Sequence, residues 1–176
     1  MASVVLIGGP SGTGKSTVSE LLSKTLSKSN KKCYLIEGDS WHSEANIIKM
    51  SNNIPLQDID RWPWLEKLTQ LVSEFTENYD VIIVACSMLK KIYRDFIKDK
   101  LKNNLKISNL SLFLLCNTYI NVLQQMKKRE NHFFKESMLK SQYDTFEKPI
   151  NELNVYNIDC NNRTPVQLVD EIIKIL

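Results

Sequence analysis

Between an apolar run, Ser3–Ile7, and an amphipathic stretch beginning at Lys15 lies Gly9-Pro10-Ser11-Gly12-Thr13-Gly14-Lys15-Ser16, with Thr17 behind it. This is the GxxxxGK[ST] pattern, and few arrangements satisfy it. The glycines let the backbone curl until successive N–H groups point at one anion. Lys15 adds a positive charge that reaches the β- and γ-phosphates of a nucleotide, and the Ser16 hydroxyl suits Mg²⁺. The helix starting at Lys15 turns its positive end toward the same phosphates. Chance matches should occur in on the order of 1% of chains this long. The flanking strand and helix are the confirming context, and a glycine-rich turn without a ligand is the weaker alternative. Gly9 to Thr17 are therefore read as the nucleotide-binding segment.

The remaining pattern alternates strands with helices. Short apolar runs at Cys33–Ile36, Val81–Ala85, Leu110–Leu115 and Val155–Ile158 read as further strands. Helical spacing spans Lys15–Leu26, Asp39–Met50, Leu89–Leu101, Thr118–Arg129 and Ser137–Phe146, with a last helix after Thr164-Pro165. Asp39 or Ser40 is expected to cap the second of these. A longer helix is expected to start near Pro63, where proline suits a first turn, and to run to about Tyr79. Such alternation implies a parallel sheet covered on both faces. The 176 residues suffice for one α/β domain and not for two ordinary ones.

Bulk properties exclude several classes. A net charge of +3, with scattered basic residues, does not suggest a nucleic-acid binder. The longest apolar run is far shorter than the roughly 18 residues of a membrane span, and no leader-like segment is expected. Cys33, Cys86, Cys116 and Cys160 lie 30 or more residues apart, without zinc or redox spacing. Reduced thiols in a cytoplasmic protein are the economical expectation. The Asn-Lys-x-Asp and Asp-x-x-Gly motifs of GTPases do not occur, which leaves a small-molecule kinase.

Four segments look chemical rather than structural. Glu37-Gly38-Asp39-Ser40-Trp41-His42 follows the second strand, where ligands bind in open α/β sheets. Ile54 to Leu65 sets Arg61 among acids and aromatics. Ala85 to Asp95 puts Ser87 at a strand end and Lys90 and Arg94 on one helical face, although a solvated basic face is the plain alternative. Lys127 to Phe134 places cations at a helix end, where the dipole alone favours them.

Together these segments resemble the gluconokinase family over nearly the whole chain. The likeness rests on the phosphate loop, Gly-Asp-x-x-His with Asn46 and Lys49-Met50, and Ile-Pro-Leu…Asp-Arg…Pro-Trp-Leu. It extends to Cys-Ser-x-Leu-Lys-Lys-x-Tyr-Arg-Asp and Arg-x-x-His-Phe, then Gln142 and Thr145-Phe146-Glu147. The resemblance implies a three-layer P-loop kinase fold with sheet order 2-3-1-4-5, a lid at about 129–137, and a homodimer. It implies transfer of the ATP γ-phosphate to the 6-hydroxyl of D-gluconate. Glu37 stands where the family usually has Asp, and Asn131 where it usually has Gly.

On this basis Lys15, Asp39 and Arg129 are the catalytic candidates. Asp39 orients the hydroxyl and takes its proton, with Ser16 and Glu37 on the metal side. His42, Lys49, Arg61, Ser87, Lys90, Arg94, His132 and Gln142 are candidate acceptor contacts. Arg61 and Arg94 are the foremost carboxylate partners, because a guanidinium can grip a carboxylate with two parallel bonds. The residues alone reach a kinase of a polar, anionic small molecule. Shikimate, a nucleoside monophosphate, or a nucleotide-binding module without transfer activity stay open at this level.

Overall fold

A computed structural model describes residues 1–127 and 136–176. Five strands, β1 (Ala2–Gly8), β2 (Cys33–Glu37), β3 (Val81–Ala85), β4 (Ile107–Cys116) and β5 (Val155–Asp159), form one sheet in the order β2-β3-β1-β4-β5. All four pairings are parallel. The helices are α1 (Lys15–Lys28), α2 (Glu44–Ser51), α3 (Asp58–Phe75), α4 (Lys91–Leu101), α5 (Tyr119–Lys127), α6 (Glu136–Thr145) and α7 (Pro165–Ile175). The covered parallel sheet is the one the alternation of strands and helices implies, and its strand order and three layers are those of the P-loop kinase fold that the resemblance implies.

The central strands are apolar on both faces because both faces are covered. Val4, Leu6, Ile82, Val84, Leu112 and Leu114 pack with Leu65, Leu68 and Leu71 of α3 and Ile97 of α4. Val5, Ile7, Ile83, Phe113 and Leu115 point the other way, onto Val18 and Leu22 of α1 and Leu168, Val169 and Ile172 of α7. Neighbouring strand ends stay level: Glu37 pairs with Ala85, Ala85 with Ile7, and Gly8 with Leu114. The loops after β1, β2 and β3 therefore emerge side by side.

Two local expectations are corrected. The segment after β2 is a 3₁₀ turn, Gly38–Trp41, and α2 starts only at Glu44. Its cap is Ser43, whose hydroxyl accepts from the Asn46 N–H, so Asp39 is not spent on capping. The long helix starts at Asp58 and ends at Phe75, with Pro63 inside it. Gln57 and Asp60 form a reciprocal capping box at its start, and these side chains fix the first turn in place of the proline. Elsewhere the elements keep close to their expected places; α7 opens after Thr164 with Pro165, and a Thr164–Gln167 capping box not anticipated from the sequence holds its first turn.

Arg94 of α4 is fully buried, and it is a strut. Its Nε and Nη2 donate to the two oxygens of Glu152, at 2.9 and 2.6 Å. Its Nη1 donates to the Met88 and Leu89 carbonyls, at 3.1 and 3.2 Å. Those carbonyls belong to the turn after β3, where Met88 has a φ of 38°. A positive φ is unfavourable for such a side chain, and the guanidinium holds the turn in that shape. Arg94 binds Glu152 and the backbone, which corrects its reading as an open acceptor contact. Hydrogen bonds from Arg94 also hold the Glu152 carboxyl below its ordinary value, against the opposing effect of burial.

Breaking a buried pair from one side strands a charge, so Glu152→Ala should cost about 3–5 kcal/mol in urea denaturation. Replacing both partners by apolar residues should cost less than the sum of the single changes. A depressed folded pKa stabilises above the unfolded one. The contribution of the pair should therefore be complete above the ordinary Glu value of 4.5 and fade as pH falls through the lower folded value.

Candidate active site

The phosphate loop leaves the middle of the sheet. Gly9, Gly12 and Gly14 have φ of 129°, 77° and 94°, values that favour glycine. A side chain at Gly9 would stand 2.6 Å from the Leu115 carbonyl oxygen, and one at Gly12 would strike Val122 and Met126 of α5. Thr13 Oγ1 donates to the Pro10 carbonyl at 2.8 Å, closing the loop on itself, and Lys15 Nζ donates to the same carbonyl at 3.0 Å. Burial lowers the Lys15 pKa, an effect that Asp39, Cys86 and Glu37 oppose. Ser16 and Thr17 lie exposed in the first turn of α1.

Glu37 ends β2 directly across from this turn. Its Oε2 accepts from Ser16 Oγ at 3.0 Å, while its Oε1 is buried without a hydrogen-bond partner. Burial raises the Glu37 pKa, and the Ser16 bond pulls it back down. A hydroxyl beside a carboxylate oxygen is a hard-oxygen pair of the kind Mg²⁺ takes alongside water and phosphate.

One residue beyond, Gly38 passes so close to β3 that a side chain would meet the Ala85 carbonyl oxygen at 2.5 Å. Trp64 of α3 donates its indole N–H to the Gly38 carbonyl at 2.8 Å and stacks on His42, with centroids 4.2 Å apart. One tryptophan thus fixes both ends of the turn that carries Asp39. The Asp39 carboxylate is 85% exposed, with Oδ1 4.0 Å from His42 Nε2. Burial holds the His42 pKa below its ordinary value, with Asp39 opposing. In the neutral ring Nδ1 accepts from Asn46 Nδ2 at 3.3 Å, which leaves the Nε2 proton facing Asp39.

These groups open onto a cavity of about 840 Å³. Of the expected site residues, Ser11, Lys15, Asp39, His42, Arg61, Ser87 and Gln142 line it together. Sequence reasoning did not single out Ser51, Asn53, Met138 or Ser141, which also line it. For the last two a signal existed: Met138, Ser141, Gln142 and Thr145 recur at the spacing of one helical face. Arg129 and His132 lie outside the described residues.

The expected group of acceptor cations is largely neutralised from within. Lys49 Nζ donates to Asp60 at 2.6 Å. Lys90 Nζ donates to Asp58 at 2.7 Å, and the Tyr93 hydroxyl donates to the same Asp58 oxygen at 2.5 Å. Neither lysine lines the cavity, and Arg94 is committed to Glu152. Arg61 differs. It is buried in the cavity wall, 9% exposed, with Nη1 3.4 Å from Ser87 Oγ and Nε buried without a partner. A buried guanidinium with an unused donor is costly unless an anion meets it.

Comparison with known proteins matches this geometry. The adenylylsulphate kinase family profile covers residues 1–132. A probable gluconokinase of Saccharomyces cerevisiae is 36% identical over 170 residues, 94% of this chain and 80% of the yeast protein. The thermosensitive gluconokinase of Escherichia coli is 34% identical, across 89% of this chain and 79% of its own length. A crystal structure of a gluconokinase from Sinorhizobium meliloti superposes with a TM-score of 0.80 at 32% identity, covering 97% of this chain and 88% of that one. With a phosphate loop, a carboxylate-bearing turn and a buried guanidinium around one cavity, and with relatives alike over nearly its full length, this chain belongs to the gluconokinase family of P-loop kinases.

Proposed function

We propose that this protein phosphorylates D-gluconate, transferring the γ-phosphate of ATP to the 6-hydroxyl and releasing 6-phospho-D-gluconate and ADP. The observation that carries this reading is the shared cavity: Lys15 of the phosphate loop, the Asp39 carboxylate and the Arg61 guanidinium line one space. A polyhydroxy acid has a hydroxyl at one end for Asp39 and a carboxylate at the other for Arg61.

Phosphoryl transfer asks the protein mainly to position groups and neutralise charge. Loop N–H groups and Lys15 hold the β- and γ-phosphates, and Lys15 exchanges its Pro10 carbonyl for them. Asp39 is exposed to the cavity and takes no part in capping, so it is the group to orient the acceptor hydroxyl and accept its proton. Glu37 is engaged by Ser16 and serves the metal side. Bound Mg²⁺ supplies neutralisation of the phosphate charge, with Ser16 and Glu37 as the residues to hold it or its waters. His42 offers an Nε2 proton to an acceptor oxygen, and Ser87 steadies Arg61. Arg129 and His132, from the lid of the family pattern, are proposed to meet the phosphates and acceptor on closure. The reading further carries a cytoplasmic homodimer; among the described residues no helix is long and apolar enough to cross a membrane.

The first test is an ADP-release assay with an acceptor panel. Gluconate should stimulate turnover at least roughly tenfold more than glucose, because a neutral sugar leaves Arg61 unpaired. Arg61→Met should erase that preference, and equal turnover of glucose by the unaltered enzyme would sink the assignment. Asp39→Asn should abolish most turnover while leaving ATP affinity within a few-fold. An active Asp39→Asn beside an inactive Glu37→Gln would move the base to Glu37. If Arg129 meets the γ-phosphate only on closure, Arg129→Ala should lower kcat by roughly 10²-fold with a much smaller change in KM for ATP. Normal kcat in a slightly less stable variant would leave Arg129 a helix-end cation.

A further inference from the structure

Helix α6 faces the cavity with Met138, Ser141, Gln142 and Thr145. Its other side is anchored. Leu139 is fully buried, the Tyr143 hydroxyl donates to the Asn117 carbonyl at 3.1 Å, and Tyr119 of α5 meets Tyr143 edge-on. From this fixed helix Gln142 reaches across to the phosphate loop, where its Oε1 accepts from the Ser11 N–H at 2.7 Å. The two residues are 131 positions apart, and the bond lies on the wall that nucleotide and acceptor share.

This bond uses a donor that a phosphate also wants. N–H groups of a phosphate loop are aimed at anions, and an anionic oxygen is a stronger acceptor than a neutral amide. When phosphate oxygen takes the Ser11 proton, the Gln142 carbonyl loses its donor while sitting in the cavity wall. An acceptor hydroxyl can then replace it, and the amide's –NH₂ can donate to a second hydroxyl. Acceptor bound at Gln142 thus stabilises the arrangement in which Ser11 serves the nucleotide.

We propose that Gln142 is a positioning residue that couples the two substrates, by competing with the nucleotide for the Ser11 N–H and being compensated by the acceptor's hydroxyls. Coupling of this kind is reciprocal: acceptor tightens nucleotide binding by the same factor that nucleotide tightens acceptor binding. The acceptor half of the proposal rests on gluconate being the substrate, whereas the competition half is independent of acceptor identity.

Calorimetric titration of the whole protein with the non-hydrolysable analogue AMP-PNP, with and without saturating gluconate, tests both halves. Gln142→Met, similar in shape but unable to accept from Ser11, should bind AMP-PNP roughly two- to tenfold more tightly than the unaltered protein without acceptor. That is the worth of one neutral hydrogen bond. Gln142→Glu, which keeps and strengthens the competing acceptor, should bind AMP-PNP more weakly. Gluconate should tighten AMP-PNP in the unaltered protein, should fail to do so in Gln142→Met, and should show a raised KM in that variant. Weaker AMP-PNP binding by a Gln142→Met protein of unchanged melting temperature would overturn the proposal, as would survival of the gluconate effect in it. Absence of gluconate turnover in the unaltered enzyme would instead reject the acceptor assignment, with the acceptor-free titration still deciding the competition.

Discussion

The site exists because β1, the middle strand of the sheet, ends in backbone that passes closer to its neighbours than a side chain permits. A side chain at Gly8 would stand 2.6 Å from the Met88 side chain and 2.9 Å from that of Leu114, and one at Gly9 would strike the Leu115 carbonyl. The side-chain tips at Gly8 can give way, but the Leu115 backbone at Gly9 cannot, so the turn of the loop over the strand ends rests on Gly9. Gly9 N–H donates to the Ser87 carbonyl at 3.2 Å, which ties the loop to the turn after β3. That turn depends in its own way on Arg94, whose guanidinium gathers the Met88 and Leu89 carbonyls. Tight backbone at β1 and a buried ion pair behind β3 therefore define the same stretch of wall from opposite sides.

What the sequence made legible was what neighbours along the chain determine. The phosphate loop, the five strands and the start of α7 at Thr164-Pro165 all rest on residues within a few positions of each other, and the structure has them near the expected places. The capping of the segment after β2 was misread because Asp39, Ser40 and Ser43 are all chemically fit to cap. What decides is the 3₁₀ turn, held by Trp64 from 26 residues away. Pro63 marked a helix start only while the Gln57–Asp60 box went unnoticed. The lysines and Arg94 expected to meet the acceptor instead meet carboxylates of the chain itself. Their partners lie far along the chain: Lys49 finds Asp60, Lys90 finds Asp58, and Arg94 finds Glu152, 58 residues on. Nothing in a local pattern distinguishes a lysine that will meet an aspartate from one that will meet a substrate.

These pairings bear on selectivity. A cavity lined by several free cations would favour multiply charged acceptors and pay little for losing one contact. Here Asp58 and Asp60, both just before Arg61 in the first turn of α3, take up Lys90 and Lys49. Among the described residues, the cations that line the cavity are Lys15, at the phosphate end, and Arg61. Charge matching thus falls largely on one buried guanidinium. Burial weights that contact, since among the described residues the Arg61 guanidinium has one side-chain hydrogen bond, to the Ser87 hydroxyl, besides the Tyr93 ring it lies over.

The same contrast between buried and exposed groups divides the two acids. Glu37 and Asp39 are two residues apart and share the positive field of Lys15, yet their surroundings set them different tasks. Glu37 is drawn in against β3, with one oxygen on Ser16 and the other buried and unpaired. Asp39 lies beyond the Gly38 constriction, where the chain can turn only because no side chain meets the Ala85 carbonyl. It projects into the cavity, with His42 behind it and no capping duty to hold it back. The longer arm of glutamate lets Glu37 reach Ser16, whereas the position of Asp39 is set by the fixed turn. The turn that Trp64 holds thus separates a carboxylate engaged by the phosphate-loop helix from one left open to the cavity.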